Sequence, residues 1–246
     1  MYFACGLEYQ KPRSRRERRY TVVMLIFGHR GAPGYPRQGE NTRASFRKAL
    51  SCGANGVEFD VRRCGDGRIV VIHDDTIDRT TNGRGRICDL SYEQLQKFDA
   101  GYGEPVPLLA GILDEFGSEC LLNIELKEPG IAGDVKNLIL ERRLERHVIV
   151  SAFEWEELRP LVPQIPIALL SSKLDNLIAS AHDLRASAIH PRRDIVSGSL
   201  IAAAREAKLG VNVWTVNDAD EMCRFRQLEV DGIFTDFPER CSMPAS

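Results

Sequence analysis

From Thr21 onward the chain alternates short apolar runs with longer amphipathic stretches, and this rhythm limits the fold more than any other feature. The apolar runs read as strands at 21–27, 56–62, 121–126, 147–150, 166–170, 187–190, 210–214 and 231–235. Between them, helical spacing predicts helices over 42–52, 108–118, 133–144, 154–161, 174–182, 198–208 and 217–227. Asn41 or Thr42 offers a helix-starting cap, and Gly210 lies just past a helix end. Strict alternation implies parallel strands joined by right-handed crossovers, in either an open doubly wound sheet or a closed barrel. Eight strands close a barrel, and 246 residues suit one such α/β unit. The expected fold is therefore a (β/α)8 TIM barrel. His29, Asp60, Lys127 and Trp214, at or near the C-terminal ends of different strands, favour the same choice, because barrel enzymes build their sites there.

Residues 63–106 interrupt the rhythm. They are too long for an ordinary loop after the second strand, and they hold a short apolar strand from Arg68 to Ile72 that ends in His73-Asp74-Asp75. Long insertions on the catalytic face of a barrel usually carry function.

Residues 1–20 differ from the rest. Lys11 and five arginines outnumber Glu8 and Glu17, six against two, so the segment is +4 and the remainder, from a total of -2, is -6. We expect a disordered basic tail followed by one domain over 21–246, with translation from Met24 as a second reading of the same tail. The near-neutral balance gives no nucleic-acid footprint, and no apolar run approaches the length of a membrane span. Seven scattered cysteines without a C-x-x-C pair, and no signal peptide, read as reduced thiols of a cytoplasmic protein, although Cys64 and Cys88 fall in one segment. A homodimer is the commonest oligomer for such a chain, but no interface is visible in the sequence.

Glu58 and Asp60 occupy alternate positions of the strand Gly56-Val57-Glu58-Phe59-Asp60-Val61, so a period of two turns both carboxylates to one face among apolar neighbours. Asn123-Ile124-Glu125-Leu126-Lys127 repeats the pattern and adds Glu125 and Lys127. Three carboxylates on Glu58, Asp60 and Glu125 ask for a hard divalent cation, and either Mg²⁺ or Ca²⁺ suits oxygen ligands. The duller reading is a buried ion pair with Lys127.

His29 and His73 supply two imidazoles for moving protons near neutral pH, and the planar fork of Arg30 matches two phosphate oxygens. Two histidines flanking a phosphorus would act as base and acid in an in-line displacement. Taken singly, each residue also has a structural reading: Trp214 as packing, Asp74 and Asp75 as solvated turn residues, and His147, His182 and His190 as satisfied structural histidines.

Taken in order, the motifs are His-Arg-Gly then Glu-Asn-Thr (29–42), Gly-Val-Glu-Phe-Asp-Val (56–61), Val-Val-Ile-His-Asp-Asp-Thr-Ile-Asp-Arg-Thr-Thr-Asn-Gly (70–83), Asn-Ile-Glu-Leu-Lys (123–127), Val-Asn-Val-Trp-Thr-Val-Asn (211–217) and Asp-Gly-Ile-Phe-Thr-Asp-Phe-Pro (231–238). This succession, from about Phe27 to Pro238, closely resembles the glycerophosphodiester phosphodiesterase family. The resemblance implies a TIM barrel with a small insertion after strand two that hydrolyses glycerophosphodiesters such as glycerophosphocholine to sn-glycerol 3-phosphate and an alcohol. It also implies His29 and His73 as the acid and base, Glu58, Asp60 and Glu125 as metal ligands, Arg30 and Lys127 as phosphate-binding cations, and Trp214 as an apolar wall. Glu40 and Asn41 belong to the pattern as supporting or helix-starting residues. Gly39 stands where the family usually has proline, and Pro107-Leu108-Leu109-Ala110 replaces its usual Pro-Thr-Leu-Glu; both departures bear on loop geometry.

Two other functions compete. A lysophospholipase D would need an apolar rim for docking on lipid, for which the insertion offers only Tyr92, Phe98 and Tyr102. A non-catalytic phosphate-binding barrel is compatible with the fold but not with retention of both histidines, three acids and Lys127.

Overall fold

The computed structural model describes residues 24–34 and 39–242; the basic segment 1–20 lies outside them. Eight parallel strands form the barrel: β1 (Leu25–His29), β2 (Gly56–Arg63), β4 (Leu121–Leu126), β5 (Val148–Ala152), β6 (Ile167–Ser171), β7 (Ala188–Pro191), β8 (Gly210–Val213) and β9 (Gly232–Thr235). Each pairs with the next, and closure comes from β1, which pairs with β9 on one side and β2 on the other. The ninth strand, β3 (Ile69–Val71), pairs antiparallel with the end of β2 and begins the insertion. Every barrel strand falls within a few residues of its predicted run.

Helices α1 (Arg43–Ser51), α3 (Leu109–Phe116), α4 (Ala132–Glu141), α5 (Leu177–Asp183), α6 (Gly198–Glu206) and α7 (Ala219–Gln227) alternate with the strands, while α2 (Tyr92–Leu95) belongs to the insertion. Thr42 is the N-cap of α1: its side chain accepts from Ser45 N, and Ser45 returns the bond in a capping box. The helix expected over 154–161 is instead a 3-10 helix, Trp155–Leu161, because Pro160 has no N–H to donate four residues back. Gly210 is not the residue that ends α6. Lys208, at φ 59°, takes the left-handed position there, as Arg143, Arg185 and Glu229 do after α4, α5 and α7.

Two hydrophobic clusters support this arrangement. The large one packs helix faces against the strands, for example the Phe46 ring against those of Phe59 and Phe116. The smaller one, built on Ile72, Ile77, Ile87, Leu95 and Val106, is internal to the insertion. The insertion thus has its own core, which holds His73 and the turn after it against the barrel mouth. Among the described residues no helix is long and apolar enough to cross a membrane. Cys64 and Cys88 are free thiols, and the Cys64 Sγ lies 3.0 Å from Asp66 Oδ1.

Candidate active site

Strand register places the three carboxylates together. Asp60 on β2 is the direct partner of Glu125 on β4, and Glu58 is the partner of both His29 on β1 and Asn123 on β4. One oxygen from each of Glu58, Asp60 and Glu125 can come within 4.8 Å of the others. Glu58 and Asp60 are almost fully buried. Burial, with the neighbouring charges of Asp60 and Glu125, raises the Glu58 pKa well above the carboxylate range, and burial with Asp60 raises Glu125 to about 7. Asp60 goes the other way: burial is outweighed by Arg30, His73, Lys127 and the Asn41 amide, which hold it ionised. Its Oδ1 nevertheless has no hydrogen-bond partner among the described residues although it is buried. An orphaned carboxylate oxygen among two reluctant acids is what a site shaped for a hard cation presents.

The turn after β1 is tightly built. A Cβ on Gly28 would lie 2.4 Å from Gly31 O, and one on Gly31, at φ +88°, would lie 2.4 Å from Ser45 Oγ, so both positions require glycine where the loop crosses α1. Between them Arg30 is left-handed at φ 54°. This turns its backbone N–H to Glu58 Oε2 at 3.0 Å, while its guanidinium donates to Glu40 Oε1 at 2.9 Å and pairs with Asp60 Oδ2 at 3.3 Å. Asn41, also left-handed at φ 60°, donates to Asp60 Oδ2 at 2.9 Å. Glu40 and Asn41 therefore orient Arg30 and Asp60, in line with a supporting role. Burial alone would lower the Arg30 pKa, but Asp60, Glu40 and Glu58 more than offset it.

Each candidate imidazole is held by a carboxylate. His29 Nδ1 lies 2.7 Å from Asp236 Oδ1, and His73 Nδ1 lies 2.6 Å from Asp74 Oδ1. Since a carboxylate only accepts, Nδ1 carries the proton in both rings, and each Nε2 is left for other work. His29 Nε2 is 3.9 Å from Glu58 Oε2. Burial is the largest influence on His73 and, with Arg30 and Lys127 nearby, leaves its pKa below the ordinary imidazole value despite Asp60 and Asp74.

His29, Arg30, Glu58, His73, Glu125, Lys127 and Trp214 all line one cavity of about 250 Å³ at the C-terminal end of the barrel, and Asp60 lies behind them in contact with Arg30. Lys127 Nζ donates to Glu125 Oε1 at 2.6 Å and stands 3.8 Å from Asp60 Oδ1. The Trp214 indole is pinned by its Nε1 donating to His190 O at 2.7 Å, and meets Phe153 edge to face with centroids 5.4 Å apart. Phe153, 44 % exposed, forms the outer lip.

The cavity thus brings together seven of the eight residues proposed from the sequence as catalytic, metal-binding or substrate-binding groups, with Asp60 behind its wall and Glu40 and Asn41 outside its lining. Four contributors were not assigned a role there. Asp236 stood inside a quoted motif, and its spacing from β9 was the available signal; Asp74 stood inside another, with a solvated turn residue as its duller reading, and its carboxylate lies 2.6 Å from His73 Nδ1. Arg79 also stood inside a quoted motif, 70–83, without being given a role, and Phe153 carried no signal beyond its position. His190 is fully buried with Nε2 3.0 Å from Asn212 Nδ2 and lies beneath the cavity rather than in it.

Residues 29–240 match the model of the glycerophosphoryl diester phosphodiesterase family. The chain is 35% identical over 235 residues, 87% of this chain and 95% of the relative, to a glycerophosphodiester phosphodiesterase of Caldanaerobacter subterraneus subsp. tengcongensis. It is 36% identical to another from Bacillus altitudinis over 239 residues, 87% and 95% of the two chains. Among solved structures, a glycerophosphodiester phosphodiesterase from Agrobacterium tumefaciens superposes with a TM-score of 0.80 at 28% identity, covering 89% of this chain and 99% of that one. A phosphodiesterase from Oleispira antarctica in complex with its product sn-glycerol-3-phosphate superposes at 0.77 with 25% identity, covering 90% and 96%.

Proposed function

The chain belongs to the glycerophosphoryl diester phosphodiesterase family and is a phosphodiester hydrolase, and from that premise we propose that it cleaves small glycerophosphodiesters, such as glycerophosphocholine and glycerophosphoethanolamine, to sn-glycerol 3-phosphate and an alcohol. The observation that carries this reading is the meeting, at one cavity, of two carboxylate-oriented imidazoles and two cations with three clustered acids, Glu58 and Glu125 in its lining and Asp60 just behind. The Oleispira antarctica enzyme, held with sn-glycerol-3-phosphate, supports the choice of product.

In the mechanism we assign, Arg30 and Lys127 hold the phosphoryl oxygens. Glu58, Asp60 and Glu125 would hold one divalent cation, Mg²⁺ or Ca²⁺, which when bound draws charge from those oxygens. One imidazole takes the proton of the attacking hydroxyl as the new P–O bond forms. The other gives its proton to the alcohol oxygen as the old P–O bond breaks. Asp236 and Asp74 keep each ring in the Nδ1–H tautomer, so Nε2 does the proton transfer. The attacking group is water, or the glycerol 2-hydroxyl followed by water opening of the cyclic phosphate; both give the same final products. Trp214 and Phe153 wall the cavity on the apolar side. A cavity of about 250 Å³ whose lining, among the described residues, has Phe153 as its one exposed large hydrophobic favours water-soluble diesters over lysolipids, which need a broader apolar rim.

The test is ³¹P NMR of glycerophosphocholine, glycerophosphoethanolamine and lysophosphatidylcholine incubated with the wild type, His29→Ala and His73→Ala. Release of sn-glycerol 3-phosphate from the soluble diesters, lowered about 100-fold or more in each variant, is expected. Turnover confined to lysolipid micelles would replace the substrate assignment, and near-normal turnover in either variant would remove that histidine from the mechanism.

A further inference from the structure

Arg79 lies in the turn of the insertion that follows His73. Ile77 anchors this turn: it is fully buried, its N–H bonds to Gly85 O, and its carbonyl accepts from both the N–H and the Oγ1 of Thr81. From that fixed backbone the guanidinium reaches two carboxylates at once. Its Nε donates to Asp74 Oδ2 at 2.6 Å and its Nη2 to Asp74 Oδ1 at 2.9 Å. On its other side Nη2 and Nη1 donate to Glu40 Oε1 and Oε2 at 2.8 and 3.1 Å. Both pairs are bidentate, a geometry that only a planar five-donor group provides.

Each carboxylate holds a different part of the machinery. Asp74 accepts from the Nδ1 of His73, and Glu40 accepts from the guanidinium of Arg30. Glu40 is 3% exposed, and neither it nor Asp74 touches the three-acid cluster by any hydrogen bond or ion pair among the described residues. We propose that Arg79 is a positioning residue that clamps the proton-transferring arm, through Asp74, to the phosphate-binding arm, through Glu40, so that His73 and Arg30 address one phosphodiester in fixed relation. The clamp ties the insertion to the loop between β1 and α1, two segments that otherwise carry their site residues on independent backbones. This inference rests on the proposed function for its kinetic consequences but not for its geometry.

Removing the guanidinium releases both arms, each with its own signature. Loss of His73 orientation lowers kcat, because proton transfer happens only in the transition state. Loss of Arg30 orientation raises KM, because the phosphoryl group is held in the ground state as well. The experiment is a pair of double-mutant cycles with glycerophosphocholine as substrate. Arg79→Ala is expected to lower kcat about tenfold or more and raise KM severalfold. In an Asp74→Asn background the same change should raise KM while altering kcat less than about twofold, and in a Glu40→Gln background it should lower kcat while leaving KM within about twofold. Arg79→Lys should restore at most one arm, since one ammonium cannot be bidentate to two carboxylates. Losses that multiply in both backgrounds, or an Arg79→Ala enzyme within about twofold of wild type in both constants, would overturn the clamp.

Imidazole ¹⁵N NMR of the full chain decides the matter without turnover. The His73 ring should be Nδ1-protonated in the wild type and shift toward a tautomer mixture in Arg79→Ala, or in Arg79→Lys if the alanine variant does not fold, while His29 stays unchanged as an internal control. An unaltered His73 signal would reject the proposal. If the wild type turns over no glycerophosphodiester, the assigned function fails, yet this spectrum still supports or rejects the clamp.

Discussion

Burial set against neighbouring charge decides which ionisable side chains of this protein carry charge. His190 is the plainest case, because its ring is fully enclosed, its Nδ1 has no hydrogen-bond partner among the described residues, and burial pushes its pKa down to about 3. The unfolded chain takes up this proton near the ordinary value of 6.5, and the folded chain does not until the pH is far lower. Stability linked to His190 is therefore present above 6.5 and lost as the pH falls toward 3, by about 2 kcal/mol between pH 7 and pH 5. Denaturant unfolding of the wild type and His190→Gln at both pH values should show the wild type losing about 2 kcal/mol more than the variant. Parallel losses would mean that His190 titrates alike in both states. The same balance sets Glu125 apart from Asp60: Asp60 is held ionised by Arg30, His73, Lys127 and the Asn41 amide, whereas at Glu125 desolvation and the like charge of Asp60 outweigh Lys127 and Arg30.

The barrel strands and the insertion have separate cores, and this gives the insertion a stability of its own. Leu95 of α2 is fully buried within the smaller cluster and outside the larger one. Leu95→Ala should cost about 2–4 kcal/mol of local stability, the usual range for emptying a buried leucine site. Hydrogen exchange is expected to rise over residues 69–106 and stay protected in β4 to β8. Uniform acceleration across the barrel strands would show instead that the insertion and barrel unfold as one unit. Element ends were the least legible part of the sequence. Four helices give way to left-handed Arg143, Arg185, Lys208 and Glu229, residues that carry no stop signal comparable to the Gly53 that follows α1; the predicted ends overran α4 by three residues and α6 by two, fell one short at α5, and met the end of α7. Over 154–161 the amphipathic pattern was real, but Pro160 converted it to a tighter helix.

For the whole molecule, the alternation of eight apolar runs made the closed barrel legible, because parallel strands of that number have few other ways to bury both faces. The acidic cluster was legible for a related reason: a two-residue period in β2 and β4 fixes which side chains face inward, and the register then sets Asp60 beside Glu125. Contacts between distant loops were not legible. Asp236 on the His29 ring is separated from it by 207 positions, and Arg79 from Glu40 by 39, with no periodicity to link them. Such pairs follow only from the closed barrel. We propose that Glu58, Asp60 and Glu125 hold a divalent cation on which phosphodiester hydrolysis depends. Calorimetric titration of chelator-stripped protein with Mg²⁺ or Ca²⁺, with glycerophosphocholine turnover measured on the same samples, tests it most directly. One ion should bind per chain, turnover should be negligible before addition, and the rate should rise in step with occupancy. Full turnover in the stripped protein, or ion binding that leaves the rate unchanged, would contradict it.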